Sequence, residues 1–144
     1  MISFNSEDIV FNLKNKTALK KWVVSCVEKK KRKVGDIYFI FCSDTFLWEM
    51  NKEYLNHDTY TDIITFDYSQ EDPKKAISGD IFISIDRVKE NAEKFSKTLE
   101  DELHRVIIHG VLHLLGYKDK TKIAKAEMTK QEDLCLKALQ KIKQ

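Results

Sequence analysis

The sequence predicts a single-domain α+β fold over residues 1–144, with about four strands in a small mixed sheet packed with about five helices. Three observations carry that expectation. A chain of 144 residues, 42% hydrophobic and 33% charged, holds enough apolar material for one core without covalent staples. One proline and four glycines leave long uninterrupted segments, as regular elements joined by short connections require. Runs of branched and aromatic residues alternate with segments of helical period, so strands and helices are mixed along the chain.

From about Thr17 to Lys33, Leu19, Trp22, Val23, Cys26 and Val27 share one face of a helical projection, with Lys20 and Lys21 away from it. The basic run Lys29 to Lys33 falls at the end of this helix, where cations complement the helix dipole without any partner. Asp36 to Cys42 is aromatic and branched and suits a strand; Asp44 then offers an N-cap for a helix through Phe46, Leu47, Met50 and Tyr54. Thr61–Tyr68 and Gly79–Ile85 read as two further strands joined by a polar loop or loose hairpin that contains Pro73. Arg87 to Lys97 reads as a short helix, Thr98 can cap a second that runs to Leu115, and Lys122 to Lys141 makes a third. Ile123, Met128, Leu134, Leu136 and Leu139 are the apolar positions of that last helix.

No apolar stretch approaches the roughly 20 residues of a membrane span, and the first residues lack the basic and apolar regions of a signal peptide. The expectation is a soluble, cytoplasmic protein with no membrane partner. Cys26, Cys42 and Cys135 have no paired spacing and read as small buried hydrophobes. A net charge of +2 is too small for the whole-protein field to argue for a polyanion, so any such attraction must come from local patches.

The chemistry concentrates in His109-Gly-Val-Leu-His113-Leu-Leu-Gly116-Tyr-Lys-Asp119. At about 100° per residue, His109 and His113 lie one turn apart on one helix face, and both imidazoles can reach a single ion. Gly116 marks the helix stop, and Asp119 follows on the returning chain as a third ligand. Three N/O ligands leave a fourth tetrahedral position to water, the arrangement of a catalytic zinc site; such ligands favour Zn2+ but also accept manganese, nickel or iron. His104, five residues before His109, points about 140° away and reads as a hydrogen-bonded core histidine.

An ion with an open position activates water and polarises a phosphoryl or carbonyl oxygen, so the reaction class is hydrolysis. A zinc peptidase of the His-Glu-x-x-His type needs a glutamate as base beside its first histidine, and Gly110 stands there instead. Phosphodiester cleavage stays compatible, and Lys118, Lys120, Lys122 and Lys125 could contact RNA phosphates or simply form a solvated helix start. The spacing does not choose the bond attacked.

Four further stretches accompany the metal run: Met50-Asn-Lys-Glu-Tyr54, Thr61-Asp-Ile-Ile-Thr-Phe66, Gly79-Asp-Ile-Phe-Ile-Ser84, and Glu102-Leu-His104. In that order they resemble the YbeY family of endoribonucleases, and Glu127-Met128 and Glu132 resemble its tail. The resemblance implies a bound zinc, cleavage directed at single-stranded RNA, and a role in small-subunit rRNA maturation and ribosome quality control. By the same resemblance His109 and His113 match metal ligands, and Asp119 replaces the family's usual histidine. Lys118 stands for the usual aspartate, and Leu55 for an arginine suited to gripping phosphate. Asp62, Asp80 and His104 match the family without a derivable role; Asp80 and His104 are further catalytic candidates, each better read as a structural hydrogen-bonding residue. Two rival readings stand beside the nuclease: a ribosome-associated binding factor whose metal organises the fold, and a metal-dependent hydrolase of another substrate. The general base and the oligomeric state stay open.

Overall fold

The computed structural model describes residues 1–69 and 75–143. In chain order the elements are β1 (Ile2–Ser6), α1 (Lys16–Lys29), β2 (Val34–Cys42), α2 (Asp44–Leu55), β3 (Ile63–Asp67), β4 (Ile77–Ser84), α3 (Ile85–Lys94), α4 (Leu99–Leu114) and α5 (Lys122–Lys143). The four strands form one mixed sheet in the order β1-β2-β4-β3, with β1, β2 and β4 parallel and β3 antiparallel along the β4 edge. The expected α+β class, with a four-stranded sheet and five helices, is what the structure contains.

Alternation along the strands decides which side chains meet the helices. Ile37, Phe39 and Phe41 of β2 lie beside Gly79, Ile81 and Ile83 of β4, and these residues join α1, α4 and α5 in the main core. The opposite face carries a smaller cluster in which Leu47 of α2 covers Cys42 and Ile64, with Phe46, Phe66 and Phe82 packed around them. Trp22, fully buried on α1, donates its indole N–H to the Cys135 carbonyl at 2.6 Å and ties α1 to α5. The expected apolar face of α1 is buried residue for residue.

Several boundaries differ from expectation. Strand β1 is not among the expected strands; its short Ile2-Ser3-Phe4-Asn5 alternation adds to the edge of β2, from Ile2 opposite Ile37 to Ser6 opposite Phe41. Helix α1 stops at Lys29 instead of Lys33, because Lys31 takes a left-handed conformation (φ 60°) and turns the chain. Ser43, not Asp44, caps α2: its hydroxyl accepts from the Phe46 N–H at 3.1 Å, and Asp44 is the first helical residue. Likewise Ser84 caps α3, which therefore begins at Ile85. Thr98 caps α4 as expected, accepting from the Asp101 N–H.

On α5, Met128, Cys135 and Leu139 are buried, whereas Ile123 and Leu134 are 85% and 51% exposed. The buried stripe is completed by Gln131 and Glu132, two polar residues whose partners are Lys30, just past α1, and His109 on α4. β3 and β4 do pair as an antiparallel hairpin, but Pro73 and the middle of its connection lie outside the described residues. All three cysteines are unpaired and buried, and burial, followed by nearby carboxylates, pushes the Cys42 thiol up to about 12. No helix among the described residues is long and apolar enough to cross a membrane.

Candidate metal centre

Helix α4 lies across β3 and β4, and its approach is close because Gly110 faces the sheet. A Cβ there would meet Ile81 Cγ2 at 2.9 Å and Ile63 Cδ1 at 3.0 Å. The position that would carry a peptidase's glutamate is therefore filled by the sheet. One turn on, the helix ends in a Schellman turn: Gly116 adopts φ 103°, its N–H donates to the His113 carbonyl, and the Tyr117 N–H donates to the Leu112 carbonyl, each at 3.0 Å. That turn sends the chain back along the helix end and brings Asp119 beside the histidines.

His109 Nε2 and His113 Nε2 are 3.0 Å apart, and Asp119 Oδ2 lies 3.3 Å from the first and 3.4 Å from the second. Tetrahedral zinc with bonds of about 2.0–2.1 Å has ligand-to-ligand edges of about 3.3–3.4 Å, so the three donor atoms stand nearly where one ion would hold them. Among the described residues this is the group of histidine, cysteine and carboxylate side chains that could hold a metal.

The remaining ring nitrogens decide the tautomers. His113 Nδ1 lies 3.0 Å from the Tyr117 carbonyl, which can only accept, so Nδ1 carries the hydrogen and Nε2 presents a lone pair. His109 Nδ1 lies 2.6 Å from Glu132 Oε2, and the same logic turns its Nε2 lone pair inward. Once His109 gives up its second proton, two lone pairs and a carboxylate oxygen converge on one point, a donor set that suits a divalent cation. The residues fit a divalent ion. Burial works against a charged His109, but Glu132, then Asp119 and Asp62, outweigh it and hold its imidazolium above the usual histidine range. Burial and the neighbouring His109 push His113 the other way, towards the neutral form that ligates.

Glu132 is 6% exposed and is itself held. Its Oε1 accepts from Arg105 Nη1 at 2.7 Å, and Arg105 Nη2 reaches Asp133 Oδ1 at 2.6 Å. The series Asp133, Arg105, Glu132, His109 therefore runs from α5 into the donor cluster. Sequence reasoning placed Glu132 in a family-like tail without a role and passed over Arg105. The readable signal was the polar stripe Glu102, Arg105, His109 and His113, at i, i+3, i+7 and i+11 along one side of the helix.

Beside the cluster opens a cavity of about 670 Å³ whose walls include Asp62, Phe95, Arg105, His109, Asp119 and Lys125. Asp62, from the strand entry, has its carboxyl raised by burial, with His109 opposing; Glu102 is raised for the same reason of burial. The two other candidates lie elsewhere. His104 is 2% exposed, packs edge-on against Trp22, and has Nε2 3.9 Å from a Glu100 carboxylate oxygen. The pleat turns Asp80, opposite Phe66 and Tyr38, to the sheet face away from α4, where it accepts from the Tyr68 hydroxyl at 3.1 Å. Leu55 is 44% exposed at the end of α2.

A family model described as endoribonuclease YbeY matches residues 1–140. A protein of Cytophaga hutchinsonii named endoribonuclease YbeY is 49% identical over 135 residues, covering 94% of this chain and 93% of its own. Its namesake in Flavobacterium psychrophilum is 50% identical over 137 residues, covering 95% of each chain. Among solved structures, the solution structure of a Thermotoga maritima protein superposes with a TM-score of 0.64 at 30% identity, over 98% of this chain and 93% of that one. A match over nearly the whole length, together with the His109, His113 and Asp119 cluster on α4 and the turn after it, places this chain in the YbeY endoribonuclease family.

Proposed function

We propose that this chain, as one domain over residues 1–144, is a metal-dependent endoribonuclease that cuts single-stranded RNA. Its role would lie in maturation of small-subunit rRNA and in ribosome quality control in the cytoplasm. The observation that carries the reading is the convergence of His109 Nε2, His113 Nε2 and Asp119 Oδ2 within 3.0–3.4 Å of one another, in a chain of an endoribonuclease family. These three residues would hold the ion, and Zn2+ suits two imidazoles and a carboxylate best. A bound divalent ion supplies Lewis-acid polarisation of a phosphoryl oxygen and neutralises charge that develops on it.

The chain's own groups have separable tasks. Glu132 fixes the His109 ring and its tautomer, and the Tyr117 carbonyl does the same for His113. Arg105 anchors Glu132, its charge matched by Glu132 and Asp133, and Lys97 and Lys125 bring positive charge to the cavity wall. Asp119 in place of a neutral histidine lowers the positive charge of the centre, which weakens its pull on a phosphate. Those two cations offset part of that loss, and Leu55 offers no help because it has no charge.

Metal content and cleavage of single-stranded RNA, measured on wild type beside His113→Ala and Asp119→Ala, test the proposal. Metal and cleavage should disappear together. Cleavage that is equal in all three preparations would belong to a contaminant and remove the enzymatic reading. Leu55 at the α2 terminus favours one alternative, a ribosome-associated binding factor with a mainly structural metal, and co-sedimentation with small ribosomal subunits in the absence of cleavage would select it.

A further inference from the structure

The molecule carries a second concentration of charge, around the end of α1. A groove of about 810 Å³ runs along the end of α1 and the start of β2, lined by Lys20, Lys31, Arg32 and Lys33, with Glu28 as the acid in its wall. A smaller cavity of about 300 Å³ adjoins it, lined by Lys30, Arg32, Leu115, Gly116 and Tyr117. Arg32 belongs to both. Four cations in one groove are a strong local excess for a chain whose net charge is +2.

The helix dipole does not account for them. Its influence is confined to the last turn, and α1 ends at Lys29, so Lys31, Arg32 and Lys33 lie beyond it. None of the ion pairs among the described residues involves Lys20, Lys31, Arg32 or Lys33. Arg32 Nε is removed from solvent without a hydrogen-bond partner, a costly state for a guanidinium donor. The turn that presents these side chains is itself strained: Lys31 occupies the left-handed region (φ 60°) where glycine is favoured, and the Lys31 and Arg32 N–H groups donate back to the Glu28 and Val27 carbonyls.

The groove is linked to the candidate centre through Tyr117, which lines the smaller cavity beside Arg32 and holds His113 with its carbonyl. Lys30 Nζ lies 5.4 Å from the Tyr117 ring centroid and is fixed by the Gln131 side-chain carbonyl. A strand leaving the donor cluster over Tyr117 would reach Lys30 and Arg32, which line the smaller cavity with Tyr117, and through Arg32 the groove that Lys20, Lys31 and Lys33 line. Cations without an acidic partner along one groove are the chemistry that receives the phosphates of a single nucleic-acid strand.

We propose that the Arg32-centred groove binds the phosphates of the RNA strand flanking the cleaved bond, with Tyr117 and Lys30 as the bridge from the metal centre. This rests on the endoribonuclease reading and adds where its substrate lies. It would also supply, chiefly from the turn after α1, phosphate contacts of the kind that Leu55 cannot make.

The test is binding of a fluorescein-labelled twelve-nucleotide oligouridylate to the full chain by anisotropy, across a salt series. Wild type is compared with the triple variant Lys20→Gln, Arg32→Gln, Lys33→Gln and with a charge-matched control, Lys130→Gln, Lys137→Gln, Lys141→Gln on exposed α5 positions. Each lost phosphate contact removes about 0.7 from the slope of log K against log salt for a single strand, so the triple variant should lose about two and bind at least about tenfold more weakly at low salt. The control should follow wild type. Should Arg32→Gln disturb folding, the exposed pair Lys20→Gln, Lys33→Gln should still lower the slope by about one. RNA binding with an unchanged slope in the variants overturns the proposal and leaves the groove to an acidic protein. If wild type itself neither binds nor cuts RNA, the endoribonuclease reading falls with it, so the two failures are distinguishable.

Discussion

Replacing Glu132 with alanine removes a carboxylate that touches no substrate and, by the geometry, no ion. It receives the His109 Nδ1 hydrogen at 2.6 Å and the Arg105 guanidinium at 2.7 Å, and the residue is 6% exposed. A hydrogen bond to a charged partner at such burial contributes about 1.5–3 kcal/mol, and here it also raises the basicity of the opposite ring nitrogen and locks its direction. Loss of a carboxylate behind a metal-binding imidazole costs about 10–100-fold in affinity, which is the same energy expressed as an equilibrium. Arg105 keeps Asp133 at 2.6 Å, so its charge is not stranded and the fold should survive. Zn2+ affinity by chelator competition is the assay, run above neutrality so that the proton on His109 does not compete. Glu132→Ala should bind about 10–100-fold more weakly, and Glu132→Gln, whose amide oxygen still accepts, by less. An affinity within about twofold of wild type in the folded alanine variant would refute the supporting role of Glu132 and remove the reason for the inward His109 lone pair.

Asp119→His should retain the ion, because imidazole can replace the carboxylate, and should raise RNA affinity by making the centre more positive; loss of metal in this variant while Asp119→Ala keeps it would contradict the ligand assignment. The metal-free His109 holds its proton above the ordinary histidine range, since Glu132 and Asp119 outweigh burial, so ion uptake must expel that proton. Apparent affinity should therefore climb with pH through the neutral range and level off above the His109 pKa, and calorimetry in buffers of different ionisation enthalpy should register proton release. Trp22→Ala deletes a fully buried indole and its bond to the Cys135 carbonyl, and urea unfolding should show a loss of about 3–5 kcal/mol. Gly110→Ala places a methyl 2.9 Å from Ile81 Cγ2, which should cost about 1–3 kcal/mol and shift α4 enough to weaken the metal centre; stability and affinity equal to wild type would mean the helix does not press on the sheet.

The cluster was legible because its parts are local. His109 and His113 are four residues apart on one helix, Gly116 is the residue that a left-handed stop favours, and Asp119 can only return near that stop. The same holds for the apolar face of α1 and for the Thr98 cap, where helical period and a short-range hydrogen bond decide the outcome. Where choices were close in sequence, packing chose: Ser43 over Asp44 as a cap, and Met128, Cys135 and Leu139 over Ile123 and Leu134 as the buried stripe of α5.

By itself the sequence determined the α+β class and the proposed donor set of His109, His113 and Asp119, which rest on composition, period and local spacing, and the family, which rests on the resemblance of whole stretches from Met50 to Asp119. Tertiary structure alone decided the sheet order with β1 at its edge, because backbone pairing leaves little trace in side-chain pattern. It also decided which partners surround the donors. Glu132 lies 23 residues from His109, and Arg105 lies 27 from Glu132 and 28 from Asp133, so only the packing of α5 on α4 brings them together. The Arg32 groove arises likewise, from a left-handed turn at Lys31 that no helical period foretells and that sets the cations just after α1 beside the loop of Tyr117.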